Sequence, residues 1–125
     1  MPHIIVEYSP NLEHQLDMSA FCDLLRRTAA TIDALPMPGI RVRAMKVDHY
    51  SIADGNKQHG FIDVSLRLRA GRSMGVRKEA IETLFEAARE FVSAYMSEHS
   101  LALSFEVRNI DADLSPKCGS IRDHL

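Results

Sequence analysis

Residues 60–69 alternate without interruption, with Ile62, Val64, Leu66 and Leu68 on one side and Asp63, Ser65, Arg67 and Arg69 on the other. Successive side chains of a strand point to opposite faces, so this stretch reads as a strand with one buried face and one meeting water or another subunit. Residues 101–108 repeat the pattern, opposing Leu101, Leu103, Phe105 and Val107 to Ala102, Ser104, Glu106 and Arg108. Between the two, Ser73 is placed to cap a helix reaching to about residue 97, in which Ile81, Leu84, Phe85, Ala88, Phe91, Val92 and Tyr95 recur at helical spacing. That stripe reads as the seam between helix and sheet.

The first half of the chain has the same plan. Residues 2–8 read as a strand with Ile4, Val6 and Tyr8 opposed to His3, Ile5 and Glu7, and Pro2 shares the parity of the apolar side. Ser9-Pro10-Asn11 is a turn, and Asp17 caps a helix carrying Phe21, Leu24, Leu25, Thr28 and Ile32. Pro36-Met37-Pro38-Gly39 ends that helix; a strand over 40–50 and a loop at Asp54-Gly55-Asn56 follow. The tail from Asn109 onward is polar and irregular. The expectation is an α+β protein of two layers: two βαβ units, each with a right-handed parallel crossover, joined in a four-stranded mixed sheet with both helices on one face. The uncovered face then carries Glu7, Arg67, Arg69, Glu106 and Arg108.

With 125 residues, 46% of them hydrophobic, the chain is expected to form a single domain spanning residues 1–125 and to bury about two thirds of its unfolded surface. It needs neither disulfide nor metal to fold. Cys22 falls on the apolar side of the first helix and Cys118 in the tail, which is no disulfide framework. The first residues resemble no secretory leader, and no apolar run approaches the ~20 residues that cross a bilayer, so the expected location is the cytoplasm with no membrane contact. Fifteen basic against 17 acidic residues give a formal charge of −2, which offers no support for nucleic-acid binding. The six histidines lack the spacing of common zinc sites, and no metal or other cofactor is expected. His3 and His49 lie on expected strands and could line a pocket.

Chemistry enters at the N-terminus. A small residue after the initiator methionine favours its removal, which would make Pro2 the first residue and its ring nitrogen a free secondary amine. An α-amino group titrates near ~8, and burial or neighbouring cations lower that value, leaving a base poised near neutrality. Read alone, the dipeptide is an ordinary strand start. The arginines add to it: Arg41 follows Pro38-Gly39, and Arg72 directly precedes the Ser73 cap, where backbone N–H groups and a guanidinium together suit an anion. Arg43 shares a strand face with Arg41 and is its main rival.

Taken in order, Pro2-His3-Ile4-Ile5-Val6-Glu7, Pro38-Gly39-Ile40-Arg41-Val42-Arg43, Ala53-Asp54-Gly55, Ala70-Gly71-Arg72-Ser73 and Leu101-Ala102-Leu103-Ser104-Phe105-Glu106 resemble the 5-carboxymethyl-2-hydroxymuconate Δ-isomerases of the tautomerase superfamily. The resemblance runs through essentially the whole chain. It implies a homotrimer with active sites near subunit contacts, a small anionic carboxylate substrate, and a place in homoprotocatechuate catabolism. It further implies that Pro2 is the catalytic base and that Arg41 and Arg72 bind substrate, in an allylic proton shift yielding the 2-oxo-3-ene isomer. A retained Met1 would leave Pro2 without a free amine. Two other readings keep the scaffold: a tautomerase acting on another 2-hydroxydienoate or enol acid, and a noncatalytic trimeric binding module.

Overall fold

The computed structural model describes residues 1–125. Its strands are β1 (His3–Tyr8), β2 (Arg41–Lys46), β3 (Gly60–Arg69) and β4 (Leu101–Ile110), and its helices are α1 (Met18–Ala30) and α2 (Met74–Glu98). The sheet runs in the order β2-β1-β3-β4. β1 pairs in parallel with β2, β3 in parallel with β4, and the two units join through the antiparallel pair β1–β3. This is the expected mixed sheet of two βαβ units.

The helices begin where their caps dictate. The Ala20 N–H donates to Asp17 Oδ1 at 2.9 Å, and the Val76 N–H donates to Ser73 Oγ at 3.2 Å, each satisfying an otherwise orphaned amide. Both helices then lay their apolar stripes on one sheet face. Phe21, Leu25 and Ala29 from α1 and Ala80, Leu84, Ala88 and Val92 from α2 meet Ile4, Val6, Ile62, Val64, Leu66 and Leu68 in one continuous core. At about 1.5–3 kcal/mol for each large apolar side chain buried, this seam outweighs any surface interaction in the molecule. Phe21 and Phe91 close it between the helices, their ring centroids 5.3 Å apart.

Four details depart from the sequence expectation. β2 stops at Lys46 rather than Tyr50, because its only neighbour is β1: Lys46 pairs with the last β1 residue, Tyr8, and after one more bond, Val47 N–H to the Tyr8 carbonyl at 3.0 Å, nothing remains to pair with. His49 therefore lies in a loop rather than on a strand. β4 conversely runs past Arg108 to Ile110, since β3 continues beside it to Arg69. The tail is more ordered than its composition suggests, with short 3-10 turns at Ala112–Leu114 and Ile121–His124. Cys22 is half-buried rather than part of the core.

The uncovered sheet face is graded in charge. Register aligns Arg41, His3, Arg67 and Arg108 in one row across all strands, whereas Glu7 and Asp63 face each other two rows further along. The positive end of that gradient is the end where the chain begins. No helix is long and apolar enough to cross a membrane.

Candidate active site

Pro2 is buried and leads directly into β1, so the start of the chain is fixed by the sheet. The Arg41 N–H donates to the Pro2 carbonyl at 3.1 Å, extending the β1–β2 ladder by one bond. Gly39, just upstream, leaves room for that approach. A Cβ on Gly39 would stand 3.3 Å from Pro2 Cδ and 3.4 Å from the Met1 Cα. The 3-10 turn Met37–Gly39, closed by Gly39 N–H to Pro36 O at 3.0 Å and Ile40 N–H to Met37 O at 3.1 Å, holds this segment against the N-terminus.

Arg41 is half-buried. Its Nη1 lies 3.3 Å from the Gly39 carbonyl and 3.1 Å from Met1 Sδ, and its side chain lines a cavity of about 260 Å³ together with Met1, Gly39, Lys117 and Arg122. Arg72 arrives from the other βαβ unit. Gly71 makes the turn at φ +122, a conformation that an L side chain rarely adopts. The Arg72 guanidinium is then held at two points, Nε donating to the Ala34 carbonyl at 3.0 Å and Nη1 to the Arg69 carbonyl at 3.1 Å.

The electrostatic consequence is read at the amine of residue 1. Burial is the largest influence holding it below its ordinary value of 8.0, followed by the positive charges of Lys117, Arg72, Arg69 and Arg41. Arg41 lines the cavity at the start of the chain, whereas Arg72 lines neither cavity there and acts on the amine through its charge alone. None of Arg41, Arg69, Arg72, Lys117 or Arg122 is in an ion pair; those pairs lie elsewhere, as at Arg26–Asp23 and Arg108–Glu106.

Arg43 takes a different position. It is exposed, and its Nη1 lies 3.3 Å from Nδ1 of His3. The His3 imidazole is itself held below its usual value, chiefly by burial and then by Arg67, Arg43 and Arg41. Burial pushes the Cys22 thiol up, which opposes thiolate formation, and both cysteines are free. No group of three His, Cys, Asp or Glu side chains lies close enough together to hold a metal ion.

Sequence reasoning missed Lys117 and Arg122. Both sit in a tail without apolar periodicity, where nothing local tells which way the chain turns. Their return to the N-terminus follows from tertiary anchors, including Arg69 Nη2 donating to the Ala112 carbonyl at 3.0 Å.

Comparison with known proteins gives a consistent picture. A family model described as 5-carboxymethyl-2-hydroxymuconate isomerase matches residues 2–125. The 5-carboxymethyl-2-hydroxymuconate Delta-isomerase of Escherichia coli is 35% identical over 121 residues, covering 97% of this chain and 96% of that protein. A crystal structure of a 5-carboxymethyl-2-hydroxymuconate delta-isomerase superposes with a TM-score of 0.90 at 32% identity, over 99% of this chain and 92% of that one. At 16% identity, a fused 4-OT symmetric trimer shares the fold, with a TM-score of 0.62 over 87% of this chain and 85% of that one.

Proposed function

Given that this chain belongs to the 5-carboxymethyl-2-hydroxymuconate isomerase family and is an isomerase of the tautomerase type, we propose that it converts 5-carboxymethyl-2-hydroxymuconate to its 2-oxo-3-ene isomer, with the Pro2 amine as proton carrier. The observation that carries this reading is that Arg41, Arg69 and Lys117, none in an ion pair, line the cavities at a half-buried N-terminus, with the charge of Arg72 acting on the same amine. Once Met1 is removed, the free amine belongs to Pro2, which is more deeply buried than Met1. The same cations then favour its neutral form.

The reaction is a proton transposition without net redox change. The enol O–H bond at carbon 2 breaks as the neutral amine accepts the proton. The double bonds shift to leave a carbonyl at carbon 2 and an alkene between carbons 3 and 4, and the protonated amine delivers a proton to carbon 5. Between those steps the dienolate is an anion. Arg41 stabilises it and holds carboxylate together with Arg72, whose two carbonyl contacts preorganise its guanidinium. One well-placed donor to developing charge is worth roughly 3–4 kcal/mol.

The working unit is a single tautomerase-like domain assembled as a homotrimer. Support comes from the symmetric trimer of the fused 4-OT neighbour and from the uncovered sheet face, whose opposed charges suit contact between copies. The enzyme acts in the cytoplasm, in homoprotocatechuate catabolism. The test is to incubate protein lacking Met1 with 5-carboxymethyl-2-hydroxymuconate and follow its ultraviolet spectrum. Loss of the dienol band with growth of the enone band is expected, and an unchanged spectrum would overturn the assignment.

A further inference from the structure

We infer that Lys117, brought over the N-terminus by the C-terminal segment, is a specificity-determining residue that selects ligands bearing a third carboxylate. The inference rests on the isomerase reading above and deepens it, because that substrate is a tricarboxylate and Arg41 and Arg72 are placed for only part of its charge.

Two cavities adjoin at the start of the chain. One, of about 260 Å³, is lined by Arg41 and Arg122; the other, of about 210 Å³, is lined by His3, Arg67 and Arg69. Met1 and Lys117 line both. Neither wall contains an aspartate or a glutamate, although acidic residues outnumber basic ones in the chain by 17 to 15. Arg67 Nε is buried without a hydrogen-bond partner, and neither Arg67 nor Lys117 is in an ion pair. Unpaired positive charge on two adjoining cavities that share Met1 and Lys117 suits a ligand whose negative charge is spread over both.

The tail holds Lys117 at the junction. The Asp111 side chain caps the turn Ala112–Leu114 by accepting from the Asp113 N–H at 2.9 Å, and Ser115 Oγ donates to the Asp111 carbonyl at 2.6 Å. Arg69 ties that turn to β3. Lys117 follows just beyond, with its charge within reach of the residue 1 amine. An ammonium is a point charge on a flexible stem, and it can follow a carboxylate on a rotatable methylene arm without demanding one planar geometry. A ligand with its conjugated acid in the Arg41 cavity and such an arm in the other would pass its third carboxylate by Lys117.

The test is calorimetric titration of protein lacking Met1, and of its Lys117→Met and Lys117→Arg variants, with propane-1,2,3-tricarboxylate and with glutarate at about pH 8, where all carboxylates are ionised. Lys117 is exposed, so Lys117→Met is expected to weaken the tricarboxylate about threefold while weakening glutarate clearly less, and Lys117→Arg to restore most of the loss. Equal weakening of both ligands, or weakening of neither, would overturn the inference. Failure of the isomerase reading would look different: the wild type would keep its preference for the tricarboxylate and yet leave 5-carboxymethyl-2-hydroxymuconate unconverted.

Discussion

The Arg41 backbone N–H donates to the Pro2 carbonyl at 3.1 Å, so the residue that opens β2 is fixed to the residue that precedes β1. The backbone of Arg41 and the residue that would carry the N-terminal amine are thereby tied by one ladder bond, and the Arg41 guanidinium is held in turn by the Gly39 carbonyl, 3.3 Å from Nη1. Arg43 shares the same strand face but is exposed beside His3. Arg41→Ala is therefore expected to lower kcat/KM about 100-fold, and Arg43→Ala less than threefold. Steady-state kinetics on the pair checks this; equal, small losses would remove Arg41 from the site.

Gly39 makes that approach possible, since its missing Cβ would fall 3.3 Å from Pro2 Cδ. Gly39→Ala should push Pro2 aside by a few tenths of an ångström, lowering kcat about tenfold while hardly moving Tm. Parallel kinetics and thermal melts separate misplacement of the base from loss of fold.

The pH profile follows from burial and the surrounding cations. The Met1 amine is held below its ordinary value by burial and then by Lys117, Arg72, Arg69 and Arg41. With Met1 removed those cations act on the Pro2 amine instead, so the acid limb of kcat/KM should lie below that of an N-terminal proline in a flexible peptide. Lys117→Met removes one of the depressing charges and should shift that limb to higher pH. A limb that stays in place would show that Lys117 does not act on the amine and would leave burial and the arginines as its determinants.

His3 gives a stability prediction of defined sign. Its imidazole titrates below its ordinary value of 6.5 in the folded protein, so the unfolded chain binds the proton more readily. The stability it contributes is complete above pH 6.5 and is lost as the pH falls through the folded value. His3→Gln should therefore gain on the wild type as the solution is acidified below about 6.5, read as the difference in Tm across a pH series.

Much of this architecture was legible in the residues. The alternation of β3 and the stripe of α2 are long, periodic and bounded by real caps, so each is determined locally. The end of β2 was not, because an edge strand stops where its neighbour stops, and the last β1 residue lies far away in sequence. The same holds for the site. Pro2, Arg41 and Arg72 could be nominated from position and chemistry, whereas the anchoring of Arg72 on the Ala34 carbonyl joins segments 38 residues apart and leaves no local mark. Lys117 was illegible for the same reason: its tail has no periodicity, and only the Arg69 contact shows where it returns.

The central claim is that the N-terminal amine of Pro2 carries the proton. Its most direct test is turnover of 5-carboxymethyl-2-hydroxymuconate by protein shown by intact mass to begin at residue 2, measured beside Pro2→Ala prepared in the same way. The account predicts rapid conversion by the wild type and a loss of at least about 100-fold in kcat for the variant, with KM little changed. Comparable turnover by both proteins would contradict it and place the base elsewhere.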